Sequence, residues 1–133
     1  MTITVLIETS IGELVDKITI LELKAKYLKK ENQLRNVEKE LTILSSSLTE
    51  LKLLSDEFVA AKLELGMVNE SLWHIEDQIR VKEKSKAFDD EFIQLARSVY
   101  IQNDKRAKIK KTINDLTGSN LTEEKSYADY GAH

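Results

Sequence analysis

The chain has 133 residues, 41% hydrophobic and 32% charged, with no proline, four glycines, no cysteine and a formal net charge of −3. That length suits one domain with one core, and the scarcity of helix breakers favours long helices. The missing cysteines exclude disulfides, thiol nucleophiles and cysteine-ligated metal centres, and the acidic balance gives no global attraction to nucleic acid or anionic lipid.

No apolar run approaches the ~20 residues of a bilayer span. The opening "MTITVLIETS" lacks the basic start and long apolar stretch of a secretory signal, so a cytoplasmic protein without membrane or nucleic-acid partners is expected. Residues 2–8 alternate threonine with Ile3, Val5 and Ile7, the pattern of a short extended segment. A lone strand makes no sheet, so this one must lie on the helices or pair with another copy. Ser10 and Glu13 then form an S-x-x-E capping box that opens the first helix.

That helix is apolar on two sides. Leu14, Ile18, Leu21, Ala25 and Leu28 form one stripe; Ile20, Leu23 and Tyr27 form another. Two apolar faces need two partners, one of them a further helix of the chain, the other the N-terminal segment or a second subunit. A homo-oligomer through the first helix, a dimer above all, is therefore expected. From Leu34 the spacing becomes a heptad seam: Leu34, Val37, Leu41, Leu44, Leu48, Leu51, Phe58 and Leu65. An unbroken helix from Gly12 past Leu65 would be roughly 80 Å long at 1.5 Å per residue. A reversal between Leu44 and Ser55 is favoured instead, at 45–47 or at 52–55. Ser47 with Glu50 and Ser55 with Asp56 and Glu57 are the two possible starts that follow it.

The second helix runs to about Lys84 and buries Leu65, Val68, Leu72, Ile75 and Ile79, with Gly66 marking a close helix approach. Asp89 is the N-cap of the third, with Phe88 stapled onto Ile93 and Asp90 and Glu91 favouring the dipole. This helix buries Phe92, Leu95, Val99, Ile109, Ile113 and Leu116 and ends at Gly118. The fold class is all-α: an antiparallel bundle of three long helices with a short N-terminal extended segment. Residues 1–118 form this single domain, and 119–133 form a polar tail, an arm or a frayed end.

Within "VNESLWHIEDQIRVKE" one polar stripe holds Asn69, Trp73, Glu76 or Asp77, Arg80 and Lys84 at helical spacing. If the second and third helices form a hairpin closing near Lys86, residue numbers at one level sum to about 173. That register pairs apolar with apolar, and it puts Trp73 near Tyr100, Glu76 and Asp77 near Arg97, and Asn69 near Asn103 and Asp104. A reversal near Lys52 brings Lys17 and Lys24 toward the same wall. The seam is either an interhelical ion-pair network of purely structural value or a cleft with an aromatic floor, cations and carboxylates. In the second case it stacks a ring on Trp73 or Tyr100 and holds an anion on Arg80 or Arg97.

A magnesium-dependent phosphohydrolase is a sharper enzymatic reading, because a hard cation needs several carboxylate oxygens. Only "ELVD", residues 13–16, fits half of the paired acidic motif it requires, and no metal site, cofactor or catalytic residue is assigned. His74 and His133 are too few for a histidine-rich metal site, and His74 reads as solvated. The basic run "KRAKIKK", residues 105–111, reads as a solvated face complementing the helix dipole.

"SIGELVDKITILELK", "VNESLWHIEDQIR", "FIQLARSVYIQNDKRAKIKKTIN" and "GSNLTEEKSY" together resemble a family of short bacterial and bacteriophage proteins known as a domain of unknown function. The likeness spans the chain except for about 29–63. Its pattern concentrates on Glu13, Asp16, Lys17, Trp73, Glu76, Asp77, Arg80, Arg97, Tyr100, Asn103, Asp104 and Arg106. It implies no activity; a setting near surface-polysaccharide genes implies a sugar-phosphate or nucleotide-sugar context. The expected function is non-enzymatic binding of a small anionic ligand, nucleotide-like or a sugar phosphate, at Lys17, Lys24, Asn69, Trp73, Glu76, Asp77, Arg80, Arg97, Tyr100, Asn103 and Asp104. The alternative is a helical interaction or scaffold module.

Overall fold

Ser10 opens the first helix as its sequence requires: the hydroxyl oxygen accepts from the Glu13 N–H at 3.1 Å. In the computed structural model, which describes residues 1–131, this helix, α1, covers Ile11–Tyr27 and is followed by α2 (Glu31–Glu50), α3 (Asp56–Lys84) and α4 (Asp90–Thr117). The chain is thus all-α with four helices among the described residues, where three were expected. Ala132 and His133, at the end of the tail, lie outside the described residues. No described helix is long and apolar enough to cross a membrane.

The extra helix arises from a reversal at residues 28–30. Leu28 and Lys30 adopt extended backbone, and no side chain caps the start of α2. Nothing local signals this break; burial dictates it. Folding back lays the seam begun by Leu34, Val37, Leu41, Leu44 and Leu48 on α1, with Val37 buried. Lys17 lies 3.9 Å from Glu40 across the hairpin. α1 contacts α2, α3 and α4 alike, and Val15, Ile18, Leu21 and Leu23 are all buried. Both of its apolar faces are therefore covered within one chain. Its exposed positions are Lys17, Glu22, Ala25 and Lys26, which removes the premise for an oligomer through this helix.

The next reversal falls at residues 51–55. Lys52 takes a left-handed φ of 55°, and Ser55 caps α3 by accepting from the Phe58 N–H at 3.1 Å. The Ser47–Glu50 box does not form; both residues stay inside α2, and Ser47 donates back to the Ile43 carbonyl. The α3–α4 hairpin closes where expected, with Lys86 left-handed and Asp89 accepting from the Phe92 N–H at 2.9 Å. Phe88 meets Phe92 edge-on at 5.2 Å, and both Phe88 and Ile93 remain exposed. Gly118 ends α4 at a left-handed φ of 68°.

The core gathers Val15 from α1, Phe58, Ala61, Leu65, Val68 and Leu72 from α3, and Ile109 and Ile113 from α4. It occupies only half of the long hairpin. At 1.5 Å per residue α1 spans about 26 Å and α3 about 44 Å, so α3 and α4 continue past the end of α1 as a bare pair. Ile75, Ile79, Phe92, Leu95 and Val99 are consequently half-buried rather than core. Leu116, also expected inside, is exposed.

Residues 1–9 form no regular secondary structure, and Ile3, Val5, Leu6 and Ile7 stand exposed. The expected extended segment thus neither lies on the helices nor pairs within the chain. The tail, by contrast, is tied down. Ser119 accepts from the Ile11 N–H at 3.0 Å, Glu123 meets Lys110 at 3.3 Å, and Tyr130 donates to Asp104 at 2.7 Å. It runs back along α4 instead of fraying.

Candidate functional site: a polar seam with a closed and an open half

Where α1 starts against the end of α4, polar side chains fill a buried junction. Three of the four N–H groups that a helix start leaves free are taken by side chains: Ile11 by Ser119, Gly12 by Asn114 Oδ1 at 2.7 Å, and Glu13 by Ser10. Gly12 permits this approach, because a Cβ there would sit 2.6 Å from the Lys110 carbonyl oxygen. A Cβ at Gly66 would meet only Thr19 Cγ2, at 3.9 Å. The close helix approach is thus at Gly12, not at Gly66 as expected.

One turn on, Asp16 is fully buried. Its carboxylate accepts from Arg106 Nε at 3.0 Å and from Asn69 Nδ2 at 2.9 Å, and Arg106 Nη2 closes a second bond to the other oxygen. Asn69 also donates to Thr19 at 2.9 Å. Lys110, itself buried, lies 2.8 Å from Glu13, 3.3 Å from Glu123 and 3.9 Å from Asp16. Burial pushes the Asp16 carboxyl up, but the bonds from Arg106 and Asn69 and the charges of Arg106 and Lys110 outweigh it, leaving its pKa below the ordinary carboxylate value. Burial likewise lowers Lys110, yet Glu13, Asp16 and Glu123 raise it on balance. No buried side-chain N or O among the described residues lacks a partner. This half is closed.

The other half is open. Beside the end of α1, a cleft of about 580 Å³ is lined by Ile20 and Leu23 of α1, by Asn69, Leu72, Trp73, Glu76, Asp77 and Arg80 of α3, and by Asn103 and Arg106 of α4. Its apolar base comes from Ile20, Leu23 and Leu72, its ring from Trp73, and its charges balance as two carboxylates against two guanidinium groups. Arg80 pairs with Glu76 one turn away in α3 while remaining largely exposed. Arg106 joins both halves, since its third nitrogen, Nη1, reaches Asn103 Oδ1 at 3.5 Å on the cleft side.

Of the eleven expected ligand contacts, six line this cleft: Asn69, Trp73, Glu76, Asp77, Arg80 and Asn103. The other five lie elsewhere. Trp73 stacks not on Tyr100 but on Tyr27, at 5.7 Å between centroids and 22° between planes. Tyr27 is held there by donating to Glu70 at 2.8 Å, with exposed His74 edge-on at 5.4 Å. Tyr100 packs edge-on against Tyr130 of the tail, and with Asp104 it lines a separate cavity that shares Asn103 with the cleft. Arg97 is exposed and forms no ion pair among the described residues. Lys17 and Lys24 line a smaller recess of about 240 Å³ toward α2, on the far side of Ile20 and Arg106. The antiparallel register itself holds, because Asn69 and Arg106 meet on Asp16. α4 is instead rotated about its own axis, so that Tyr100 faces the tail and not Trp73.

Asp16 and Arg106 lie outside the expected ligand set and residues 105–111 are expected to be solvated, yet Arg106 and Lys110 turn inward. A signal existed: Glu13 and Asp16 are three apart, Arg106 and Lys110 four apart, so each pair shares one helix face. Packing those faces together requires α1 antiparallel to α4. The same pairing occupies the acids from which a magnesium site would be built, and among the described residues no three carboxylates or imidazoles converge as ligands.

No curated protein and no solved structure matches this chain. A family model does match, over residues 5–131, which takes in all four helices and the anchored tail: the chain belongs to the Family of unknown function (DUF6165).

Proposed function

We propose that the protein binds a small ring-bearing polar ligand, a sugar phosphate or nucleotide-like molecule, in the cleft at the end of α1, without catalysing its conversion. The observation that carries this reading is the convergence of one indole, two carboxylates and two guanidinium groups on a single cleft of about 580 Å³, a size within the range of small-molecule sites. A ring stacks on the indole face not taken by Tyr27. Glu76 and Asp77 accept from hydroxyls, Asn103 bonds either way, and Arg80 supplies the anion contact. The local charge balance favours a ligand with one or two anionic groups over a polyanion.

Trp73 is the only tryptophan, so its fluorescence reports directly on the cleft. Titration with sugar phosphates and nucleotides should give a saturable change for at least one compound, accompanied by a rise in melting temperature. Asp77→Ala and Arg80→Ala should abolish both without unfolding the protein. A broad set of such compounds that moves neither signal would rule the reading out.

A second reading, a helical interaction module, is favoured by the closed half, whose polar groups satisfy one another and leave none for a ligand. On that reading Trp73→Ala and Arg80→Ala leave every binding property intact. The heptad seam of α2 is turned onto α1, with Val37 buried, so on this reading the tail is the docking element.

A further inference from the structure

Residues 2–8 carry apolar surface that the bundle does not use. Ile3, Val5, Leu6 and Ile7 are 87%, 78%, 91% and 79% exposed. Among the described residues, none of the backbone hydrogen bonds outside the helices involves residues 2–8. The segment is nevertheless fixed at its base. Ser10 caps α1, Ile11 donates to Ser119, and Asn120 donates to the Glu8 carboxylate. The arm therefore leaves the bundle at a defined point, with large apolar side chains in water and a row of unpaired peptide groups, the condition under which a strand recruits another strand.

The order of its residues indicates which strand. Thr2-Ile3-Thr4-Val5-Leu6-Ile7-Glu8 is self-complementary about Val5. In a two-fold antiparallel pair with Val5 on Val5, Ile3 faces Ile7 of the second copy, Thr4 faces Leu6 and Thr2 faces Glu8. One side of that ribbon holds Ile3, Val5 and Ile7 from both copies, all β-branched, and no like charges oppose each other. A shift by one residue would send this set to the opposite face. In this two-fold register each copy supplies the other with a matching apolar face and no opposed charge, as an isologous contact does. A two-stranded ribbon needs apolar support, and beside the arm's base Leu116 and Leu121 are 47% and 40% exposed.

We propose that residues 2–8 pair with the same residues of a second copy as an antiparallel β-ribbon centred on Val5, making the protein a dimer through its arms rather than through α1. The test uses the absence of cysteine. Paired Cα atoms at a two-fold axis stand about 4.5–5.5 Å apart, within disulfide reach. Val5→Cys should therefore convert almost wholly to a disulfide-linked dimer under mild oxidation. Ile3→Cys alone should not, because its two thiols would be roughly 13 Å apart along the ribbon. Mixing Ile3→Cys with Ile7→Cys should restore crosslinking between the two. Light scattering should give a dimer mass for the unmodified chain at micromolar concentration and a monomer mass for Val5→Asp, with helical circular dichroism unchanged. A monomer mass for the unmodified chain, a dimer that survives Val5→Asp, or equal crosslinking at positions 3 and 5 would each overturn the proposal.

Discussion

The two halves of the seam are built from the same residue types and behave in opposite ways. At the α1–α4 junction, Asp16, Arg106, Lys110, Asn69 and Asn114 meet one another from three helices, all of them buried except the partly exposed Arg106. About two to three helical turns beyond Asn69 along α3, Glu76, Asp77 and Arg80 line an open cleft, and the ion pair of Arg80 with Glu76 lies within one helix. The difference is the length of α1. Where α1 is present, a charged residue on α4 finds its counter-charge on a neighbouring helix and is buried with it. Beyond Tyr27 no third helix covers the hairpin among the described residues, and the residues that would have faced it face a cleft. Polarity in a helical seam thus marks a lock where a neighbouring helix covers it and a candidate site where that helix ends.

The largest way to break this contrast is to open the closed half. Arg106→Met leaves the fully buried Asp16 carboxylate with Asn69 and with Lys110 at 3.9 Å. Breaking one partner of a buried pair costs about 3–5 kcal/mol, and chemical denaturation should show a loss of that order. Adding Asp16→Asn to that variant should recover part of it, since the pair is coupled. A loss under about 1 kcal/mol would mean that the junction is wetter than its geometry indicates.

The two helical glycines give the next effect, with opposite signs. Gly12→Ala drives a methyl into the Lys110 carbonyl and Asn114, an overpacking cost of about 1–3 kcal/mol. Gly66→Ala meets only ordinary contact with Thr19 and should stabilise α3 by about 0.5–1 kcal/mol. Thermal melts of the two single variants check both signs.

Acid should also weaken the closed half. The Asp16 pKa is lowered in the folded chain against an ordinary 3.8, so the unfolded chain takes up this proton at higher pH than the folded one does. The stability it contributes is present above about pH 4 and falls as pH drops through the lowered folded value. Urea midpoints measured from pH 6 down to pH 2 should trace this loss, and Arg106→Met should show a shallower slope, because its strongest lowering contact is gone.

How far the sequence reveals these halves follows from the physics of each. Caps at Ser10, Ser55, Asp89 and Gly118 are local and were legible, as were the α3–α4 hairpin and six of the cleft residues. The reversal at 28–30 was not, because it has no glycine, proline or capping side chain and is driven by the burial of α1's two apolar faces. The partner of Trp73 depended on that reversal: with α1 ending at Tyr27, the phenol arrives beside the indole and Tyr100 turns to the tail. Register along a hairpin follows from counting residues, whereas rotation about each helix axis follows from what third element covers it.

The smallest effect on stability belongs to the open half, and there the contrast is sharpest. Asp77→Ala and Arg80→Ala alter exposed side chains whose only described ion pair is one exposed contact within α3, so each should shift stability by no more than about 0.5 kcal/mol. Trp73→Ala should cost somewhat more, about 0.5–1.5 kcal/mol for the stack on Tyr27 in addition to the buried area lost. If the cleft is a site, the first two variants lose ligand response at nearly unchanged melting temperature, a separation that no variant of the closed half can show. If instead they destabilise the fold as much as Arg106→Met does, the cleft is sealed in solution and the two halves are one lock.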